Sequence, residues 1–151
     1  MTNTYWMIVI DKNNFNITQE KGFSIQGIDF RNRRKAVRMT ENDRVLYYIK
    51  ELRSFSATAT VTSECFEDNS KIWENYNSDE KFPFRVNIEP NVVLNVEKSL
   101  DALQIAPTME YIKKWPPEWW YMAFYGMLHI LSQRDFNFIE SEMNRIYRLN
   151  I

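Results

Sequence analysis

The sequence offers reactive chemistry few places to sit. His129 and Cys65 are its one imidazole and one thiol. The two could form a nucleophile and its base, since such partners meet in space rather than along the chain. Their contexts point elsewhere. Cys65 follows a strand end with no glycine-rich or helix-initiating segment, and His129 lies in the apolar run Met127–Leu131. Both read as packed structural residues. A zinc site would have to be built almost wholly from carboxylates. Those cluster in the acidic stretch Glu64–Glu80, where solvation is the default. Three glycines cannot supply a GxGxxG or Walker loop. The residue inventory therefore predicts no catalytic set, no metal and no cofactor, and favours a binding module over an enzyme.

What the chain has in excess is aromatic surface and one basic cluster. Five Trp, eight Tyr and ten Phe make up 15% of the residues. Trp6, Phe23, Tyr47, Tyr48, Trp73, Trp115, Trp119 and Trp120 exceed what one small core requires, and each buried Trp or Tyr must also place a polar hydrogen. Part of this set is expected to line a pocket that stacks a flat or methylated guest, with a few polar groups fixing its edge. Ser24, Arg31, Asn32 and Arg85 are candidates for the edge. For any single aromatic, plain core packing is the alternative. Trp119 and Trp120 cannot easily share one pocket, because adjacent side chains diverge on a helix or a strand. Arg31, Arg33, Arg34, Lys35 and Arg38 put five positive charges within eight residues. They form either a solvated face or a phosphate-facing surface. Overall charge does not decide between these, with 19 basic against 20 acidic residues.

The elements that must position these groups centre on Asp43–Thr62. Val45, Tyr47 and Ile49 alternate with Leu46 and Tyr48, so both phases are apolar and the strand is covered on both faces. Ala57, Ala59 and Val61 alternate with Thr58, Thr60 and Thr62, a half-buried strand whose small inward side chains leave room for an aromatic or a guest. Tyr5–Ile10 reads as a central strand ended by the turn cluster Asp11-Lys12-Asn13-Asn14. One helical turn over Phe15–Lys21 stops at Gly22. Gly22–Gly27 is a short extended piece bracketed by glycines, where backbone can pass close to something else. Phe30–Met39 reads as a helix with Phe30 and Val37 on one face. Glu64–Glu80 is expected to be a loop or flap, with Trp73 and Tyr76 as exceptions to its polarity.

Farther on, Phe84–Ile88 alternates as a strand, with Pro83 and Pro90 as its limits. Val92–Val96 continues or pairs with it. Short helices follow at Ser99–Gln104 and Thr108–Lys113, then the rigid aromatic corner Trp115–Trp120 and a strand at Gly126–Leu131. Ser132–Tyr147 is the clearest helix. Ser132 with Asp135 resembles a capping box, and Phe136, Ile139, Met143 and Ile146 recur at helical spacing.

At 151 residues the chain is read as one domain spanning 1–151. A single cysteine and the absence of a basic leader predict a cytoplasmic protein, and no apolar run approaches bilayer length.

Several of these pieces, in order, resemble an EVE domain. They are Tyr5-Trp6 opening the first strand, Glu41-Asn42-Asp43 leading into Val45–Tyr48, the small-residue strand, Cys65–Asp68, Phe84-Arg85-Val86 and the closing run Gly126–Phe136. The resemblance covers nearly the whole chain. It implies an α+β fold of the PUA-like group, related to YTH and ASCH domains: a small curved β-barrel of five to six strands flanked by helices. It also implies a pocket accepting an unstacked modified base in DNA or RNA, without catalysis. Carried over residue by residue, Phe23-Ser24 falls where related domains place a cage tryptophan and a small polar residue, and Trp73 lies in the flap that supplies a second wall. Trp6, Tyr47 and Arg85 match recurrent positions, and Arg31–Arg38 borders the pocket.

Two classes of function stay open. In one, Phe23 and Trp73 stack a modified base, Ser24 and Asn32 bond its edge, Trp6, Tyr47 and Arg85 complete the base pocket, and Arg31, Arg33 and Arg34 hold phosphates. In the other, a PUA-like domain holds a protein partner through Trp115–Trp120. A homodimer or a separate effector protein is left open as partner, and no membrane is expected.

Overall fold

A computed structural model describes residues 3–75 and 78–149. In chain order the elements are β1 (Tyr5–Ile10), α1 (Lys12–Glu20), β2 (Ile25–Ile28), a 3-10 turn at Phe30–Asn32, α2 (Arg33–Ala36), β3 (Arg44–Ile49), β4 (Ser54–Val61), β5 (Phe66–Glu67) and β6 (Phe84–Val93). There follow β7 (Leu100–Asp101), α3 (Ala102–Ile105), α4 (Glu110–Lys113), a 3-10 helix at Pro117–Phe124, β8 (Leu128–Leu131) and α5 (Gln133–Leu149). Six strands run in the order β2-β6-β4-β3-β1-β8, with β5 added to β6 and β7 to β4. Only β1 and β3 pair in parallel; the other described pairs are antiparallel. This is the expected curled sheet flanked by helices.

The continuous apolar runs of β1 and β3 are explained by two cores. Trp6, Ile8, Ile10, Val45, Tyr47 and Ile49 enter one inside the curl. Met7, Val9, Leu46 and Tyr48 enter a second, between the sheet and the C-terminal helices. Each strand is thus covered on both faces. Two bulges let the neighbouring strands follow the curl. Tyr47 pairs with Ala57 and Tyr48 with Phe55, so Ser56 is the extra residue. Thr58 pairs with Val92 and Ala59 with Pro90, which leaves Asn91 extra. Each bulge inverts the facing of the residues beyond it. Ala57 and Ala59 face the inner core while Phe55 faces the outer one, although all three share a parity.

The strand limit read at Pro90 is therefore corrected. β6 runs on to Val93, because a proline beside a bulge forfeits no ladder bond that the strand requires. The helix read over Phe30–Met39 is also shorter and split. Phe30 and Val37 are exposed, while Ala36 and Met39 carry the burial. α1 starts earlier than the sequence pattern indicates, because the Asp11 carboxylate accepts the Asn14 N–H at 2.7 Å and caps it. At its far end Gly22 takes φ 72°, and the Phe23 N–H reaches back to the Thr18 carbonyl.

α5 buries Phe136, Ile139 and Met143 as their spacing predicts. The Ser132 hydroxyl accepts the Asp135 N–H at 3.1 Å, but the Asp135 carboxylate does not return the bond. It accepts the N–H groups of Glu110 and Tyr111 and so docks α4 on the start of α5. Among the described residues no helix is long and apolar enough to cross a membrane.

Candidate functional site

A cavity of about 430 Å³ opens where β1 and β3 end, against the segment joining the Pro117–Phe124 helix to β8. Its walls come from five stretches far apart in sequence. Ile10 ends β1, Asp11 caps α1 and Asn14 lies in it, Gln26 is in β2, Asp29 and Arg31 follow it, and Lys50 follows β3. Trp73, Asn75 and Phe82 come from the Glu64–Glu80 segment and its exit, and Phe124, Tyr125, Gly126 and Met127 close the far side.

The long acidic segment is the expected flap, with β5 as its regular structure among the described residues, and its fastenings include three made by Asn14, Trp73 and Arg85. Asn14 exchanges both amide bonds with the backbone of Glu74, at 2.8 and 2.9 Å. The Trp73 indole N–H donates to Thr18 Oγ1 at 2.8 Å. Arg85 is wholly buried, and its guanidinium donates to the carbonyls of Phe82, Ser70 and Lys81 and to the Ser70 hydroxyl. It also lies 5.2 Å from the Trp73 ring centroid, so one indole face is occupied. Tyr76 lies outside the described residues.

Gln26 supplies the main buried polar group of the cavity. Tyr47 Oη donates to its Oε1 at 2.8 Å and Thr18 Oγ1 donates to the same atom at 3.2 Å, while Gln26 Nε2 donates to the Gly27 carbonyl at 2.8 Å. The direction is forced. Thr18 already receives the Trp73 N–H, and the Gly27 carbonyl can only accept. Burial pushes the Tyr47 hydroxyl far up from its ordinary value, so it stays a donor. One Nε2–H of Gln26 is left without a partner among the described residues. The complementary group is Asp29, whose Oδ1 takes the N–H and Nδ2 of Asn32 at 3.2 and 2.6 Å, with Oδ2 unpaired among the described residues. Gln26 and Asp29 both belong to the cavity lining, as do the exposed cations Arg31 and Lys50.

Of the residues singled out from sequence, Trp73 and Arg31 line this cavity. Phe23, 4% exposed, packs edge-on to Phe15 and Tyr47 in the inner core. Its φ of 51°, just past the Gly22 cap, turns the ring inward. Tyr47 reaches the site only through Gln26. Trp6 is buried and donates to Asp43 Oδ2 at 2.9 Å, bracing the turn before β3. Ser24 is exposed and donates to the Lys21 carbonyl. Arg85 holds the flap rather than facing a guest. Asn32, Arg33 and Arg34 share a separate exposed hollow with Arg31 and Lys35. Gln26, Asp29, Lys50 and Tyr125 were not legible as site residues, and only the close backbone passage expected near Gly27 hinted at them.

Both His129 nitrogens are engaged, Nδ1 with Tyr111 Oη at 2.6 Å and Nε2 with the Gly126 carbonyl at 3.0 Å. Burial lowers its pKa, and the Lys35 and Lys114 charges add to that. Cys65 packs against the inner core, and burial raises its thiol pKa. In the aromatic corner Trp115 and Trp120 are half-buried, with the Trp120 N–H donated to the Trp115 carbonyl, while Trp119 is exposed.

The EVE domain family model matches residues 4–141. A UPF0310 protein of Pyrococcus abyssi (strain GE5 / Orsay) is 23% identical over 146 residues, covering 91% of this chain and 98% of that protein. Among solved structures, the Mmi1 YTH domain in complex with RNA superposes with a TM-score of 0.67 at 12% identity, covering 99% of this chain and 83% of the other. Human THYN1 in complex with 5-methylcytosine-containing DNA gives 0.63 at 12% identity, covering 93% and 98%. At these identities the superpositions speak to the fold.

Proposed function

The chain belongs to the EVE domain family, and from that premise we propose that it is a non-catalytic nucleic-acid-binding module that receives one unstacked, modified base of DNA or RNA in the 430 Å³ cavity. The observation that carries this reading is the presence, in the lining of one aromatic-walled cavity, of Gln26 and Asp29, with a Gln26 N–H and Asp29 Oδ2 unpaired among the described residues and Arg31 and Lys50 alongside. A carboxylate accepts from an exocyclic amino group, and an amide N–H donates to the adjoining ring nitrogen or carbonyl. Cytosine and adenine present that pattern; uracil and thymine do not. Tyr125 and Phe124 provide flat surface, Trp73 the edge left free by Arg85 and Gly27, and the cations hold flanking phosphates. Two solved relatives of the fold are bound to RNA and to methylated DNA, which supports nucleic acid as the partner class. The chain acts by occupancy or through an effector protein.

The test is a binding titration with short strands carrying one 5-methylcytosine, one 5-hydroxymethylcytosine, one N6-methyladenine or no modification, at two salt concentrations. Tighter binding to one modified strand, weakened about tenfold or more by Tyr125→Ala and by Asp29→Ala, is expected. Equal, salt-sensitive binding to every strand would reduce the interaction to phosphate attraction and remove the base pocket.

A further inference from the structure

The 3-10 helix Pro117–Phe124 joins two hollows. Phe124 lines the base cavity and also a second hollow of about 250 Å³ that it shares with Tyr48, Tyr121 and Arg53. In this wall the Phe124 ring stacks on Tyr48 with centroids 4.1 Å apart and planes 7° from parallel. From it the helix presents aromatic surface to solvent in both directions. Tyr125 is 71% exposed at the first cavity and Tyr121 is 62% exposed at the second. The half-exposed ring of Trp119 lies against Tyr121 at 6.0 Å and 29°. Each hollow also receives one cation from the turn between β3 and β4, Lys50 at the first and Arg53 at the second. Neither cation is in an ion pair among the described residues.

A flat exposed ring paired with an unpaired cation, repeated at two adjoining hollows, is the composition of a single-strand track. There each nucleotide places its base on an aromatic face and its phosphate by a positive charge. A purely protein-binding aromatic patch would not require a cation at each step. Neighbours that stack on the protein cannot stay stacked and paired in a duplex. We infer that the domain binds single-stranded nucleic acid, with the nucleotides on one side of the cavity-bound base stacked on Tyr121 and Trp119 and their phosphates at Lys50 and Arg53. This rests on the base-cavity reading and gives it a strand type and an exit direction.

The experiment compares two probes on the full chain. One is a strand of about nine nucleotides with a central 5-methylcytosine or N6-methyladenine, within the range of single-strand sites; the other is the same modified nucleoside alone. Tyr121→Ala and Trp119→Ala replace exposed side chains, and circular dichroism verifies their fold. Each is expected to weaken the single strand about 5- to 150-fold, the range of one lost base stack. Nucleoside binding should stay unchanged, and a duplex of the same sequence should bind more weakly than the strand. Arg53→Ala should lower the salt slope by about one phosphate's worth.

Unchanged strand affinity in both aromatic variants, or preference for the duplex, overturns the track. So does self-association that Trp119→Ala abolishes while strand binding persists, which would assign the face to a second copy. Strand binding that depends on Tyr121 but is indifferent to Asp29→Ala and to the modification keeps the track and removes the base cavity. No binding by any strand removes both.

Discussion

Gly27 and Trp73 are in such close approach that a β-carbon at Gly27 would stand 2.5 Å from Cζ3 of the indole and 2.4 Å from the Phe82 carbonyl. Strand β2 thus runs directly under the flap, and the missing side chain lets Trp73 settle beside Gln26. Gly27→Ala must displace backbone as well as the ring. A loss of about 1–3 kcal/mol in stability is expected, typical of overpacking. Because the ring belongs to the cavity, its fluorescence should shift toward that of solvated tryptophan. An unchanged spectrum and melting midpoint would mean that the flap rests more loosely than this contact requires.

Arg85 tests the same flap from its other side. Its donors are spread over the carbonyls of Ser70, Lys81 and Phe82. Arg85→Lys keeps a charge but can satisfy few of these, since an ammonium lacks the planar fork. We expect a loss of about 2–3 kcal/mol and much faster proteolytic cutting between residues 70 and 81. Equal protease resistance in the variant would show that Asn14 and Trp73 suffice to hold the flap closed.

His129 sets a pH dependence whose sign is fixed. Burial holds its folded pKa below the ordinary 6.5, so at intermediate pH the unfolded chain binds more protons. The stability from neutral His129 is therefore whole above pH 6.5 and declines as pH falls through the lowered folded value, by at most about 1.4 kcal/mol per pH unit. His129→Gln should flatten the melting temperature between pH 6.5 and 5 relative to the parent, which should slope. If both slope alike, the acid sensitivity belongs to another group.

The bulges show what the sequence could not display. The continuous apolar runs of β1 and β3 and the alternation of Ala57–Val61 were plain, because side-chain parity there is uninterrupted. Ser56 and Asn91 invert that parity, and a bulge leaves no periodic mark, so the two cores could not be separated by pattern alone. Deleting Asn91 would keep Val92 and Leu94 in sequence but turn them toward the inner core. The deletion should fail to give cooperative unfolding, whereas Asn91→Ala, which loses only the bonds from Thr60 and Arg44, should fold. A cooperative transition in the deletion would show that the register can slip without loss.

The site was less legible than the fold for a related reason. Trp73 was recognisable as an aromatic stranded in a polar segment, and the basic cluster as charge. Gln26, Asp29 and Tyr125 belong to segments brought together only by the curl and by the flap laid over it. Their side chains are ordinary in their local contexts.

Asp29 gives the decisive substitution for base identity, because its two oxygens have separate duties. Oδ1 caps the turn at Asn32, and Oδ2 is the acceptor that the proposed base reading assigns to the cavity. Asp29→Asn can keep the cap through its carbonyl oxygen while placing an amino group where the second acceptor was. The stability change should therefore be small, under about 1 kcal/mol, the scale of a retained cap. Recognition should change in kind: a base presenting an amino group loses affinity by about 1–3 kcal/mol, and one presenting a carbonyl there gains relative to it. Measuring strands with central cytosine, adenine and uracil against parent and variant reads this directly. If the order of preference survives in Asp29→Asn, the carboxylate does not read the base edge, and discrimination rests on stacking and cavity shape.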